Sequence, residues 1–163
     1  MIDDKIHLGA EIVHWDDKYS TEIAIVDTQH KQLFELTNKL FAACREKKDT
    51  LDTAFKDAMH HLVEYVRFHF NAELKLLHSI KYPDYHNHKK QHDDLIHEIL
   101  TAVKEHDEGK KFVPNHFVRT LRDWIFSHIA VHDKAYSFYI HDQIKTGKLS
   151  KDELKEIEAS IAK

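Results

Sequence analysis

Residues 69–92, HFNAELKLLHSIKYPDYHNHKKQH, carry two pairs of metal-ligand side chains on either side of a predicted chain reversal. His69 and Glu73 are four residues apart, and so are His88 and His92. Four residues advance an α-helix by about 400°, so each pair lies on one helix face. The proline in the sequence KYPD between the pairs predicts a helix stop. Two antiparallel helices can therefore direct both pairs into one shared interior, which is how helix bundles build metal sites.

Composition indicates one domain without a nucleic-acid or membrane signature. The 163 residues include 24 basic and 28 acidic side chains, which give a net charge of −4 and no basic stripe for nucleic acid. We expect no secretory signal in the acidic N-terminus, and no run approaches the roughly 18 apolar residues of a membrane span. The single cysteine, Cys44, excludes an internal disulfide and a thiolate cluster, and it fits the cytoplasmic location that we expect.

Apolar residues recur at steps of three and four along four long segments, which predicts four bundle helices. With only three glycines and two prolines, the chain has few helix breakers. A capping box of Ser150 and Glu153 begins a short last helix. The sequence therefore predicts an all-α fold: an up-down-up-down four-helix bundle with an N-terminal arm and a short C-terminal helix. The four bundle helices are predicted at roughly 22–46, 50–79, 84–108 and 114–144.

The predicted domain organisation is a bundle domain and a short tail. The bundle spans residues 1–145, with residues 1–20 as its arm, and residues 146–163 form a C-terminal extension. Trp15 and Tyr19 are expected to pack the arm against the bundle. The charged last helix is a candidate contact surface for an unidentified protein partner. We expect a monomer that binds neither nucleic acid nor a membrane.

Each of the four main helices carries at least one histidine on its apolar face. A lone histidine there is more often a hydrogen-bonded core residue than a ligand, but that explanation weakens when four helices repeat it. Five buried histidines and a buried glutamate would be a costly core without a metal. Imidazole and carboxylate ligands without thiolate suit iron, zinc, manganese or copper, and five histidines exceed the need of one tetrahedral zinc. The residues concerned are His30, His69, Glu73, His88, His92 and His128.

The fourth helix must supply a second carboxylate if two metal ions are to be bridged. Asp133 follows His128 by five residues, which places it about 140° away on a regular helix. His132, four residues after His128, is the better partner on spacing alone. However, the apolar positions after Asp133 are displaced by one residue relative to the helical repeat of the apolar positions before His128. A π-bulge between 128 and 133 would reconcile them, and we predict one there.

With these residues collected, the sequence resembles the bacterial members of the hemerythrin family. The family pattern is a lone histidine on the first helix, then HxxxE, HxxxH and HxxxxD. It recurs here in DTQHKQLF, HFNAE, HKKQH and HIAVHD. The resemblance covers about residues 12–142 of the chain, and it favours Asp133 over His132. One departure is Glu22, because family members often have glycine before the first helix.

The resemblance implies a non-haem di-iron site that binds O2 reversibly, in a carrier, storage or delivery protein rather than an enzyme. Its cofactor would be two iron ions (Fe2+/Fe3+) with an oxo or hydroxo bridge. Three imidazoles plus three bridges fill six positions on one iron, whereas two imidazoles plus three bridges leave one position open on the other. Leu33, Trp124 and Ile125 are candidates for the dry wall around that position. The implied ligands are His88, His92 and His128 for one iron, His30 and His69 for the other, and Glu73 and Asp133 as bridges.

Three alternatives remain open at this point. One is a di-iron oxidase or iron-handling protein, although ferritin-type bundles use Glu-x-x-His spacing. Another is an O2-sensing or redox-sensing module that acts through a separate partner. A third is a structural zinc bundle. The histidines outside the pattern are expected to be solvated: His7, His14, His60, His61, His78, His86, His97, His106, His116, His132 and His141.

Overall fold

The computed structural model describes residues 11–111 and 113–162. All regular secondary structure in these residues is helical, so the all-α prediction is confirmed for them. A 3-10 turn at Asp17–Tyr19 precedes the first long helix. The elements that follow are α1 (Ala24–Ala43), α2 (Lys48–Ser79), α3 (Tyr85–Asp107), α4 (Val113–Ser127), a π-helical segment (His128–Asp133), α5 (Lys134–Lys145) and α6 (Lys151–Ile161).

Four helices form the bundle, with α4, the π-helical segment and α5 acting as one continuous fourth helix. Helix α1 packs against α2 and α4, and α3 packs against the same two neighbours. Short turns join consecutive helices, so adjacent helices run antiparallel. The apolar stripes predicted from the sequence face the interior, where they form two buried clusters.

The reversal between α2 and α3 falls where the sequence predicts it. Helix α2 ends at Ser79, and Lys81 then adopts a left-handed backbone conformation with φ of 54°. The Tyr82 N–H donates to the Leu77 carbonyl at 2.9 Å, which satisfies one of the last acceptors of the helix. Helix α3 begins at Tyr85, so its ligand pair faces that of α2 from an antiparallel helix.

The arm lies across α1 and the fourth helix. Val13 and Tyr19 are buried, and the Trp15 ring meets the Phe34 ring edge-on at 5.5 Å. The Asn38 side chain of α1 accepts from the Val13 N–H at 3.1 Å and donates to the Val13 carbonyl at 2.9 Å. The predicted packing of the arm is therefore confirmed for residues 11–20, and residues 1–10 lie outside the described residues.

A tight turn connects the arm to α1. Glu22 takes a left-handed backbone conformation with φ of 60°, at the position where the resemblance leads one to expect glycine. One oxygen of Asp27 accepts from the Thr21 N–H and hydroxyl, both at 2.7 Å, and its other oxygen accepts from the Ser20 hydroxyl at 2.5 Å. The turn is thus held by the first turn of α1.

The same turn is also fastened to α5. The Lys134 ammonium donates to the Ser20 carbonyl at 2.7 Å, and the Ser137 hydroxyl donates to the Thr21 carbonyl at 2.6 Å. These bonds join the start of the bundle to its last long helix beside the π-helical segment.

Helix α6 closes one end of the bundle. The predicted capping box is confirmed: the Glu153 N–H donates to Ser150 Oγ at 3.1 Å, and the Ser150 N–H donates to Glu153 Oε2 at 2.7 Å. The helix packs on α2 and buries Ile161 in the smaller apolar cluster, together with Leu77 and Tyr136. None of the helices in 11–111 and 113–162 has the length and apolar character needed to cross a membrane.

Candidate metal centre

The bundle interior brings together all the side chains that the sequence singles out as candidate ligands. Each comes from a helix of the bundle or from the π-helical segment, and each is at most 2% exposed. They are all buried because each lies on the apolar, core-facing side of its helix, at a position where an apolar residue would otherwise stand. The seven side chains are those of His30, His69, Glu73, His88, His92, His128 and Asp133.

One group of ligand atoms joins α2, α3 and the π-helical segment. One atom each from Glu73, His88, His92 and His128 lies within 4.8 Å of all the others. Glu73 Oε2 is 3.0 Å from His92 Nε2 and 3.3 Å from His88 Nε2. His92 Nε2 is 3.0 Å from His128 Nε2. Three imidazole nitrogens and one carboxylate oxygen therefore converge on one point.

A second group joins α1 and α2. His30, His69 and Glu73 each offer an atom within 4.8 Å of the others. Glu73 Oε1 is 3.9 Å from His30 Nε2, and Glu73 Oε2 is 3.8 Å from His69 Nε2. Glu73 belongs to both groups, so its carboxylate occupies a bridging position.

Asp133 lies between the two groups with one oxygen toward each. Its Oδ2 is 3.1 Å from His30 Nε2, while its Oδ1 is 3.1 Å from His128 Nε2 and 3.5 Å from His88 Nε2. The competing candidate, His132, is half-buried and directs its Nδ1 to Gln91 at 3.1 Å. The structure thus places Asp133, and not His132, among the other candidate ligands.

The π-helical segment explains how Asp133 reaches the centre. In a π-helix the hydrogen bonds run from residue i to i+5, so residues five apart lie above one another. The segment begins at His128 and ends at Asp133, which places both side chains on the inner face. The predicted π-bulge is therefore confirmed, and it allows α4 and α5 to keep their different phases.

Several buried polar atoms of the centre have no hydrogen bond among the described residues. They include both oxygens of Asp133 and both ring nitrogens of His30. Unpaired buried polar atoms are rare in proteins because each one costs free energy. Cations at the centre would satisfy the two Asp133 oxygens and His30 Nε2, which faces Asp133, and a set of imidazoles and carboxylates suits a first-row transition metal. The donor set therefore fits a metal.

The carboxylates of the centre are held in their charged form. Burial would raise the pKa of Asp133, but the imidazoles of His128 and His30 bring it below its ordinary value. Burial likewise opposes ionisation of Glu73, yet the neighbouring His69 and His88 hold its pKa well below the usual range. Two anionic carboxylates are what a pair of divalent ions requires.

The imidazoles divide into two kinds. Burial lowers the pKa of His69 to about 3, so this ring is neutral and its lone pair is free at neutral pH. Burial would also lower the pKa of His30 and His88, but Asp133 raises the first and Glu73 raises the second, and both pKa values lie above normal. In the metal-free protein these two rings therefore hold a proton more tightly than a free imidazole does, and this tendency opposes metal binding.

Outer residues orient the candidate ligands. Gln29 Oε1 lies 2.9 Å from His69 Nδ1, and the Tyr136 hydroxyl donates to Glu73 Oε1 at 2.6 Å. Sequence analysis did not identify these residues or Gln91, which contacts His128. A signal was present, since glutamine directly precedes a candidate histidine in both Gln29-His30 and Gln91-His92.

Aromatic rings cover two of the imidazoles. Phe70 stacks on His92 with ring centroids 3.7 Å apart, and Trp124 stacks on His128 at 4.2 Å. Leu33 and Ile125 are buried in the larger apolar cluster, against which Trp124 packs. Of the predicted wall residues, Trp124 stacks on a candidate ligand and Leu33 and Ile125 belong to the apolar core, so the wall around an open metal position stays a prediction.

Two histidines outside the pattern differ from expectation: His132, which is half-buried and contacts Gln91 as described above, and His106. His106 was expected to be solvated, but its side chain is only 12% exposed and its Nε2 lies 2.9 Å from Asp52 Oδ1. Its ring packs on Phe55 at 4.6 Å. The partner is 54 positions away in the sequence, so local periodicity gave no sign of this contact.

Comparison with known proteins identifies the family. A family model described as "Hemerythrin HHE cation binding domain" matches residues 21–137. The bacteriohemerythrin of Methylococcus capsulatus is 30% identical over 123 residues, covering 73% of this chain and 88% of that protein. The bacteriohemerythrin of Clostridium acetobutylicum is 30% identical over 125 residues, covering 75% of this chain and 96% of that protein.

Structural comparison agrees. A crystal structure of wild-type hemerythrin superimposes with a TM-score of 0.71 at 28% identity, covering 77% of this chain and 95% of the other. The four-helix bundle prediction is thereby confirmed, and the resemblance read from the ligand spacing is confirmed by both comparisons. On this fold, this buried histidine and carboxylate cluster and these matches, the chain belongs to the hemerythrin family.

Proposed function

We propose that this protein binds O2 reversibly at a non-haem di-iron site and serves to carry, store or deliver it, without acting as an enzyme. One observation supports this most directly. Two groups of imidazoles share the carboxylate of Glu73, and Asp133 offers one oxygen to each group. Such an arrangement suits two metal ions at adjacent positions and is more than one ion needs.

The two positions would differ in their number of protein ligands. His88, His92 and His128 would hold one iron, and His30 and His69 would hold the other, with both carboxylates between them. The second position has one imidazole fewer, so an incoming ligand would enter on the side of α1 and α2. When bound, a pair of ferrous ions supplies the two electrons that O2 takes up and returns them when O2 leaves.

The protein's own residues orient the carboxylates and keep water out. The Tyr136 hydroxyl is fully buried and donates to Glu73, which fixes the plane of that carboxylate. Leu33 and Ile125, both at most 1% exposed, form the proposed wall with Trp124. A dry wall favours reversible binding because water promotes loss of reduced oxygen and leaves an oxidised site.

The test is an optical titration of the protein loaded with Fe2+ under argon. Air is admitted and then removed by an argon sweep while the visible spectrum is recorded. We expect two irons per chain and a colour that appears with air and disappears under argon. A colour that forms once and persists would indicate an oxidase. A chain that retains zinc and gives no colour would be a structural zinc bundle.

Paired variants show whether the response comes from this centre. His92→Ala should lose iron and the reversible colour, whereas His97→Ala, an exposed histidine on the same helix, should retain both. Equal loss in the two variants, or in neither, would contradict the assigned site.

A further inference from the structure

Two Gln-His pairs occupy equivalent places in the bundle. In α1, His30 faces the centre while the preceding Gln29 reaches His69 of α2, with Oε1 at 2.9 Å from Nδ1. In α3, His92 faces the centre while the preceding Gln91 reaches His128 of the fourth helix, with Oε1 at 3.0 Å from Nδ1. Each glutamine thus contacts a histidine on a neighbouring helix.

These contacts determine which ring nitrogen is available to a metal. A neutral imidazole carries its proton on one nitrogen and a lone pair on the other. An amide oxygen only accepts hydrogen bonds, so its position beside Nδ1 selects the tautomer with the proton on Nδ1. Nε2 is then the nitrogen that can bind a metal at the centre, where His69 Nε2 and His128 Nε2 lie 3.8 Å and 3.1 Å from a carboxylate oxygen.

We propose that Gln29 and Gln91 are paired positioning residues, each of which fixes the tautomer and ring orientation of one metal-binding histidine on the next helix. This inference rests on the proposed metal pair. Because Gln29 serves the group with His30 and Gln91 serves the group with His88 and His92, each metal position has one such glutamine.

The two glutamines differ in their surroundings. Gln29 is 5% exposed, its side-chain NH2 has no partner among the described residues, and its backbone carbonyl accepts from the Tyr65 hydroxyl at 2.9 Å. Gln91 is half-buried, and its NH2 donates to His132 Nδ1 at 3.1 Å. Gln91 therefore links His128 to the half-buried His132 by a chain of hydrogen bonds, whereas Gln29 has no second side-chain partner among the described residues.

The first test reads the tautomers directly in the metal-free protein by long-range nitrogen–proton NMR on histidine-labelled samples. In the unsubstituted protein, His69 and His128 should both carry the proton on Nδ1. Gln29→Leu should shift only His69 toward a mixture of tautomers, and Gln91→Leu should shift only His128. Absence of a proton from Nδ1 of His69 and His128 in the unsubstituted protein, or unchanged Nδ1 protons in both variants, would overturn the proposal.

The second test measures binding of Co2+ alone, used as a spectroscopic probe, by optical titration. Each leucine variant should weaken one of two binding steps by about 10- to 100-fold and shift its visible bands. Gln29→Glu keeps the acceptor oxygen and loses no hydrogen bond, so it should restore the affinity. A Gln29→Glu variant as weak as Gln29→Leu would overturn the proposal.

Controls separate positioning from folding and from O2 chemistry. Gln32→Leu, at an exposed site on α1, should leave both binding steps unchanged, and equal weakening there would overturn a specific role. Metal-free melting curves identify a variant that has merely unfolded, in which case Gln29→Met replaces it. Failure of the unsubstituted protein to release O2 would overturn the proposed function, but the tautomers of the metal-free protein would still decide the role of the glutamines.

Discussion

Glu22 is one of two non-glycine residues, with Lys81, that take a left-handed backbone conformation in the described part of the chain. Its φ of 60° places it in the left-handed region, which costs a residue with a Cβ about 1 kcal/mol or more relative to glycine. Among the described residues, the only polar contact of the Glu22 side chain is with His141, with Oε2 at 3.0 Å from Nε2, and both side chains are exposed, so this contact contributes little. The strain is therefore largely unrelieved.

Glu22→Gly should raise the stability of the metal-free protein. We expect a gain of about 1 kcal/mol in the free energy of unfolding and a rise in Tm of about 2–4 °C, because the left-handed conformation costs glycine nothing. Circular dichroism melting curves give the measurement. Lys39→Gly, at an exposed position within α1, should instead lose about 1 kcal/mol. A Tm for Glu22→Gly at or below that of the unsubstituted protein would show that the left-handed backbone at Glu22 does not destabilise the fold.

Single residues differ in how readily the sequence reveals them. The candidate ligands could be predicted because each is a polar residue on an apolar stripe, and four separate stripes repeat the anomaly. Gln29 and Gln91 escaped prediction because glutamine beside a stripe is ordinary on a helix surface, and their partners lie 40 and 37 positions away. His106 was misjudged for the same reason. Contacts between helices depend on packing, which periodicity within one helix does not encode.

Among the elements, the π-helical segment is the place where the fourth helix departs from regular α-helical geometry, and it does so at two candidate ligands. It could be predicted because an inserted residue displaces the apolar pattern on either side of it, and the displacement is visible in the sequence. The ends of the helices could be predicted only roughly. For example, α1 begins at Ala24, two residues after the predicted start, because the strained turn extends through Glu22.

Deleting Ala130 should preserve the fold. Ala130 is exposed within the π-helical segment, and its removal leaves His128 and Asp133 at the four-residue spacing that a regular α-helix keeps on one face. We expect the free energy of unfolding of the metal-free protein to change by about 1 kcal/mol or less, measured by urea denaturation.

The matched deletion is Arg119, which is exposed in the regular part of the same helix. Its loss rotates the preceding and following apolar positions by about 100° relative to each other, which should cost about 3 kcal/mol or more. If the two deletion variants were equally stable, Ala130 would not be the extra residue that displaces the apolar pattern of α5 relative to that of α4.

At the scale of the whole molecule, the division into a bundle of residues 1–145 and an extension of residues 146–163 stays a prediction. Helix α6 lies outside the segment matched by the family model, yet it buries Ile161 against the bundle. Removing residues 146–163 should lower the free energy of unfolding by about 2–4 kcal/mol, since one buried and three half-buried aliphatic side chains are lost.

The truncated chain should still bind Co2+, because every candidate ligand precedes residue 134. Melting curves and optical titration supply the two measurements, and Ile161→Ala in the full chain should show part of the stability loss. A truncated chain that cannot fold or bind the metal would mean that the extension belongs to the bundle domain.

The bonds from the arm turn to α5 have a consequence for biosynthesis. They join residues 114 and 116 positions apart, and the candidate ligands themselves extend from His30 to Asp133. Contacts between such distant residues form late, because closing the intervening chain costs entropy before the contacts form. On the ribosome, the nascent chain must emerge as far as Asp133, just before α5, before all the candidate ligands can come together. The candidate metal centre is therefore complete only after residue 133 has emerged, so metal binding follows the synthesis of all four bundle helices up to that residue.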